Sequence, residues 1–524
     1  MVTVSANKKK GQRGSLHSLC ALFLSLSVIC GCSSPAAQPA QEALAVPITL
    51  TIGLPVQTGA DPLHGLTQAA RLISREGLTL PNRDGRAQPR LAESWIESAD
   101  GLEWRFRLRA NAFFHDGTPV DSPAVKASLE RSLKSSDLDQ YPGLSDIDAI
   151  EAPSQNELVI RLKNRSTFLL DDLGVSILTI SPGSAPIAAG PYQTTSSSSN
   201  ELVMQSFRKH YKGPPQIDRI VWKAYPTVRT AWAAMMRGEI DFLYEVPRDA
   251  VEFIEPETSV EVFPFLRNYD HAVVFNSKRP PVDRPTVRRA LNYAVNREGL
   301  VKHALRGRGR TTSGPAWPLH WAYNSSVPEF SYDPARSAAL LDAAGLPPLS
   351  GSNDSGNPPS RMHFTCLIPD SFALWERMAL LVQKDLAKVG VDMRIESLPF
   401  PDFNRRIAAR DFDAVMLEFI VGNSPSRPYG FWHSTSKQNV WGFQDPKIDQ
   451  ALDGIRRASN ETIYREAFRD FQLQSFEDPP AIFLALGETV RAVSRRFQVV
   501  APPNTDILPT IGDWRPGNDS ERTN

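Results

Sequence analysis

Cysteine is nearly missing from this chain, with 4 in 524 residues, and their positions leave no pair to join. Cys20 and Cys30 lie in an apolar stretch near the start, Cys32 directly follows it, and only Cys366 falls in the remainder. A disulfide framework is therefore excluded, and stability must come from burial. Excess charge is lacking as well: 58 basic residues meet 58 acidic ones, which excludes the basic field that nucleic acid needs. The 9 histidines are scattered. Without His-Glu-x-x-His or Cys-x-x-Cys spacing, no local motif gathers a metal or cofactor, and neither is expected. Gly-x-Ser-x-Gly and Gly-x-x-x-x-Gly-Lys-Ser/Thr are absent too, so no nucleophile elbow or phosphate cradle is announced and no catalytic residue is expected.

What is present begins with a leader. Lys8, Lys9, Lys10 and Arg13 precede an apolar run from Leu16 to Ile29, and Cys30-Gly31-Cys32 is followed by Ser33 and Ser34. Residues 1–31 read as a lipoprotein signal peptide with Gly31 before the cleavage point and Cys32 as the acylated residue; simple secretion without lipid is the alternative. The run is too short for a spanning helix, which needs about 20 residues. Cleavage would remove four basic residues and no acidic ones, moving the balance of the mature chain to about −4. Residues 32–46, rich in Ala, Pro, Gln and Ser, read as a flexible tether.

Further along, Trp104, Phe106 and Leu108 alternate with Arg105, Arg107 and Arg109, the pattern of a half-buried strand. Asp116-Gly117 and Pro119 mark a turn, Ser122 with Pro123 opens a helix, and Val125, Leu129 and Leu133 form its apolar stripe. His115 beside Asp116 reads as part of that turn. Met235 and Met236 read as core filler, and Cys366, within Phe364 to Ile368, as a buried strand residue.

Ala92 to Trp95, Asp100-Gly101, Phe114 to Pro119 and Ser128 to Arg131 follow one another in the order and spacing of a known family. Gly190-Pro191-Tyr192, Glu239-Ile240-Asp241, Val287 to Leu291 and Tyr332-Asp333-Pro334 continue the match. The chain resembles the peptide/nickel-type solute-binding proteins of bacterial ABC importers, known as family 5, over roughly Ile48 to Val500. The resemblance implies an α/β, two-lobe periplasmic-binding-protein fold with an extra subdomain and a ligand cleft between the lobes. Lobe one would take 47–66, 187–264 and 481–524, the extra subdomain 67–186, and the distal lobe 265–480. It further implies closure on a small solute and delivery to permease and ATPase subunits; the expected state is a monomer, attached to the membrane by lipid at Cys32 on the extracytoplasmic face. A secreted carboxylate-based hydrolase and a sensory or adaptor protein on the same fold are the competing classes.

Peptide-binding relatives place an aspartate for the ligand's ammonium after the strand that corresponds here to Ala414 to Phe419. Gly422 takes that place, with no acid between Glu418 and Asp445. An unpaired buried ammonium costs several kcal/mol, so a free amino terminus is not the expected ligand feature. Phe419, Asn423, Arg427 and Trp432 are the expected ligand-binding residues, offering apolar faces, an amide and a cation to a peptide-like or other oligomeric solute.

Overall fold

The computed structural model describes residues 46–56, 61–134, 141–174, 188–348 and 360–517. The expected leader, the expected acylation site Cys32 and all of the expected tether before Val46 lie outside the described residues.

Two strands far exceed the rest in length, Val260–Phe275 and Ala481–Ser494. The second is buried at every position but Glu488 and Ser494, as a strand covered on both faces must be, and its first half, Ala481 to Leu486, is wholly apolar. Paired antiparallel, they run through the middle of an 11-stranded sheet. On one side lie Ala414–Ile420, Met362–Pro369 and Val391–Leu398; on the other lie Phe242–Leu243, Thr49–Pro55, Arg219–Tyr225, Glu201–Ser206 and Tyr192–Ser197. One sheet thus serves both lobes, and the two long strands cross between them.

The crossing is irregular at one point. Leu266 pairs with Glu488 and Asp270 with Leu486, so Arg267, Asn268 and Tyr269 stand opposite the single Gly487. Such a bulge bends the strand and re-aims its side chains. Asp270, fully buried there, takes the single Thr312 hydroxyl between its two oxygens, with Oγ1 at 3.0 and 2.8 Å, and burial pushes its carboxyl up to about 8.

The first lobe packs the helix Pro62–Ser74 through Leu66, Ala69, Ala70 and Ile73 onto Leu50, Ile52, Trp222, Phe242 and Val493. In the distal lobe both faces of the sheet are covered. Val273, Phe275, Cys366, Met378 and Leu386 meet on one face; Val274, Leu367, Trp432, Phe468 and Phe483 meet on the other. Cys366 is buried as its strand position implies, and burial raises its thiol to about 12, which makes it inert.

A four-stranded antiparallel sheet, ordered Ala92–Glu97, Glu103–Leu108, Glu157–Leu162, Ile147–Ser154, forms a separate small subdomain. Trp104, Phe106 and Leu108 point into its core, while Arg105 and Arg107 pair outside with Glu157 and Glu93. The following helix, Ser122–Ser132, is capped by Asp121 and not by Ser122, because the Asp121 carboxylate reaches the Ala124 N–H while Ser122 Oγ donates to the Ser154 carbonyl. His115 binds the Gly190 carbonyl at 2.9 Å, tying the subdomain to the first lobe. The methionine reading holds for Met235, which is buried, but Met236 is 44% exposed because it falls on the outer side of its helix, Val228–Met236.

Candidate functional site

The segment after Ala414–Ile420 turns sharply. Gly422 has φ +68°, a left-handed conformation in which an added Cβ would also lie 2.9 Å from Arg427 Cγ, so glycine is required for both torsion and room. Val421 N–H donates to the Asn268 carbonyl at 3.0 Å, which fixes the loop to the crossing point of the long strands.

From there the loop faces the small subdomain. Asn423 Nδ2 donates to the Asn82 carbonyl at 3.0 Å, and its Oδ1 accepts from Asn268 Nδ2 at 3.2 Å. Ser424 Oγ donates to Asp171 Oδ2, and Ser426 Oγ to Asp172 Oδ1 at 2.8 Å. The Gly143 N–H donates to Asp172 Oδ2 at 2.7 Å. Burial raises Asp171 to about 8 and Asp172 to about 6, and their mutual repulsion adds to the rise at Asp171.

This contact is broad. Arg456 donates through Nε to Asp146 Oδ2 at 2.9 Å and through Nη2 to the Pro142 carbonyl at 2.7 Å; Arg457 Nη1 reaches the same Asp146 oxygen at 2.9 Å. Thr167 N–H donates to the Arg456 carbonyl at 2.9 Å, and Phe168 meets Tyr429 edge-on at 5.7 Å. On the far side, Trp317 Nε1 donates to the Arg83 carbonyl at 2.8 Å, and Arg86 and Arg465 lie over the Trp321 ring at 4.6 and 4.7 Å. The small subdomain and the distal lobe are docked face to face.

The four expected ligand residues divide between two surroundings. Phe419 is 7% exposed and Trp432 1%, and they meet edge-on at 5.7 Å within the apolar core, with Phe483 at 5.9 Å from each. Asn423 and Arg427 lie at the docked face, with the Arg427 guanidinium 5.0 Å over the Tyr141 ring. Asp171 and Asp172 were not among the expected residues. They reach the loop across 253 and 254 residues of chain, a separation no local motif can signal.

The first lobe contributes an open recess of ≈ 480 Å³ at the carboxyl end of Thr49–Pro55, lined by Leu54, Val56, His64, Gln68, Leu72 and Tyr244. Thr49–Pro55 runs parallel to Arg219–Tyr225 and Phe242–Leu243, and ligands of open α/β sheets bind beyond such carboxyl ends. Tyr244 is held by Arg491, whose guanidinium stacks 3.8 Å over the ring and pairs with Asp506 at 2.8 Å.

Two lobes sharing a sheet, crossed by two long strands and joined by a small subdomain that docks on the far lobe, define the class of two-lobe periplasmic binding proteins. The sequence profile described as bacterial extracellular solute-binding proteins, family 5 Middle, matches residues 86–442, and the chain belongs to that family. This is the family expected from Ala92–Trp95 and Phe114–Pro119, and its members are transport proteins that bind small solutes. Among relatives, the glutathione-binding protein GsiB of Pectobacterium atrosepticum is 26% identical over 475 residues, covering 84% of this chain and 88% of its own. The probable D,D-dipeptide-binding periplasmic protein DdpA of Escherichia coli is 26% identical over 427 residues, covering 75% and 78%. Among solved structures, NikZ of Campylobacter jejuni in complex with Ni(L-His) superposes with a TM-score of 0.76 at 22% identity, covering 89% of this chain and 99% of its own. The oligopeptide-binding protein AppA of Bacillus subtilis, in complex with a nonapeptide, gives 0.73 at 20% identity, covering 90% and 100%.

Proposed function

We propose that the protein is the substrate-binding lipoprotein of an ABC importer, capturing a peptide or peptide-like solute by lobe closure and delivering it to permease and ATPase subunits. It works as a monomer, held at the extracytoplasmic face of a membrane through acylated Cys32. The observation that carries this reading is the docked contact between the small subdomain and the distal lobe, on a body whose lobes share two crossing strands. Shifting an open state from 1:99 to 99:1 closed needs a ligand that favours closure by about 5.5 kcal/mol. A contact made only when the lobes meet is where that preference can act.

The domain plan follows the cores. Lobe one is assigned to 47–74, 187–264 and 481–524, the subdomain to 75–186 and the distal lobe to 265–480. The separate clusters around Trp222 and around Phe106 support the division between lobe one and subdomain, and the packing of Pro62–Ser74 extends lobe one to Ser74.

Within the site, Asn423 and Arg427 meet the solute at the docked edge, and Phe419 and Trp432 form the rigid aromatic floor behind them. The solute's amino end is blocked or unread. Gly422 offers no acid, and Asp171, raised to about 8, is largely uncharged at neutral pH and gives an ammonium no counter-charge.

Thermal-shift and calorimetric screening would compare glutathione, free and amino-acetylated peptides and a nickel–histidine chelate, with product analysis of each mixture. Saturable binding of peptide-like solutes without product is expected. Turnover would overturn the receptor reading; binding of free peptides that vanishes on acetylation would overturn the unread amino end.

A further inference from the structure

At Gly487, which faces the bulge, polar groups converge where a side chain is missing. A Cβ on Gly487 would lie 3.1 Å from Arg248 Nη2 and 3.5 Å from His271 Nε2, so both nitrogens close over a bare stretch of backbone. His271 is 2% exposed, yet both of its ring nitrogens are buried without a hydrogen-bond partner among the described residues. Arg248 Nε is buried and unpartnered in the same way.

Buried polar atoms left without partners are costly, so their persistence side by side calls for an occupant. The surrounding charges decide its sign. Arg267 lies within the bulge itself, 37% exposed, with Nη1 3.5 Å from Glu418 Oε1; His271 Nε2 is 3.8 Å from the same oxygen. Both separations exceed hydrogen-bond length, so Glu418 balances one guanidinium and fills neither donor set. Glu245 and Arg377 act on Arg248 from further out, with opposite effect. Burial, then the fields of Arg248 and Arg267, hold His271 down to about 3, so its ring is neutral and can donate one N–H while the guanidiniums supply the charge.

We propose that this junction is an anion subsite: an oxyanion, such as a carboxylate, is received between Arg248 and His271 over Gly487, with Arg267 as the second cation. Arg248 follows the first-lobe strand Phe242–Leu243, whereas His271 sits on a crossing strand paired to Glu418 of the distal lobe. An anion held by both therefore ties the lobes at their junction. That the carboxylate belongs to the captured solute rests on the receptor reading above; the subsite itself does not.

The test uses purified protein isotopically labelled at histidine, with the His271 ring signals assigned by their loss in His271→Gln. Sodium glutarate, titrated at constant ionic strength, is expected to move those signals saturably, with the response weakened about tenfold or more in Arg248→Gln and retained in Arg248→Lys. Glutathione is then compared with its diethyl ester. Movement by glutathione and not by the ester assigns the carboxylate to the solute; movement by glutarate alone assigns the subsite to a free anion. If neither probe moves His271 in the unaltered protein, the subsite is overturned. Calorimetric binding of glutathione that leaves His271 undisturbed also overturns it, while leaving the receptor reading in place.

Discussion

Ser426 Oγ donates to Asp172 Oδ1 at 2.8 Å across 254 residues of chain, bringing a carboxylate of the small subdomain into the loop that follows Ala414–Ile420 of the distal lobe. Asp171 does the same for Ser424. Two adjacent buried acids at a docking face make the strength of docking depend on their protonation.

The sign follows from the direction of the shifts. Both carboxyls are raised in the folded protein, to about 8 and about 6, above an ordinary value near 3.8. The folded state thus holds more protons than the unfolded one between those values, and stability falls as pH rises through that window. Melting temperature is expected to be highest near pH 4 and to decline toward pH 8. Asp171→Asn, which copies the protonated form, should flatten the decline; a profile unchanged by that substitution would count against Asp171 as its origin.

Arg456 and Asp146 form the most enclosed ion pair of the same face, with side chains 8% and 5% exposed and a closest approach of 2.7 Å. Removing one partner strands the other charge. Asp146→Ala should cost about 3–5 kcal/mol in urea unfolding, and the double change Asp146→Ala with Arg456→Met should cost less than the two single changes combined. Additive losses would show that the pair is not coupled.

The acyl chains expected on Cys32 contribute roughly 0.8 kcal/mol per buried CH₂, so more than one chain would hold the protein firmly on a membrane. Cys32→Ala should move the protein from the membrane to the soluble fraction after cell fractionation. Retention in the membrane pellet would refute anchorage at this residue.

The family and much of the local structure were legible because they are written in neighbouring residues. The alternation at Trp104, Phe106 and Leu108 predicts a strand whose inner face the structure buries, and the motif order predicts the two lobes. The Ser122 cap shows the limit even at short range. Two adjacent residues can both cap, and a contact with Ser154, absent from any local pattern, decides for Asp121. The site is less legible for a related reason. Phe419 and Trp432 carry the residue types of a stacking surface, yet an aromatic core uses the same types, and only the tertiary packing around Phe483 separates the uses. Asp171, Asp172 and the convergence over Gly487 depend on contacts between distant segments, which composition and spacing do not encode.

That division of the four expected ligand residues leads to distinct outcomes on substitution. Truncating Phe419 or Trp432 to Ala empties a closely packed aromatic cluster and should cost about 3–5 kcal/mol of stability, whatever it does to binding. Asn423 and Arg427 lie at the docked edge, where Asn423 makes two hydrogen bonds and Arg427 packs over Tyr141. Asn423→Ala is expected to cost about 1 kcal/mol in stability, and Arg427→Ala a similar amount. If these two side chains contact the solute, each loss should also weaken its binding by about tenfold, beyond what unfolding explains, since a hydrogen bond to a charged or buried group is worth about 1.5 kcal/mol or more. Urea unfolding and calorimetry on the same preparations separate the two effects. Full solute affinity in both edge variants would remove Asn423 and Arg427 from the binding surface and leave the recess beside Tyr244 and the junction at Arg248 as the places where the solute is held.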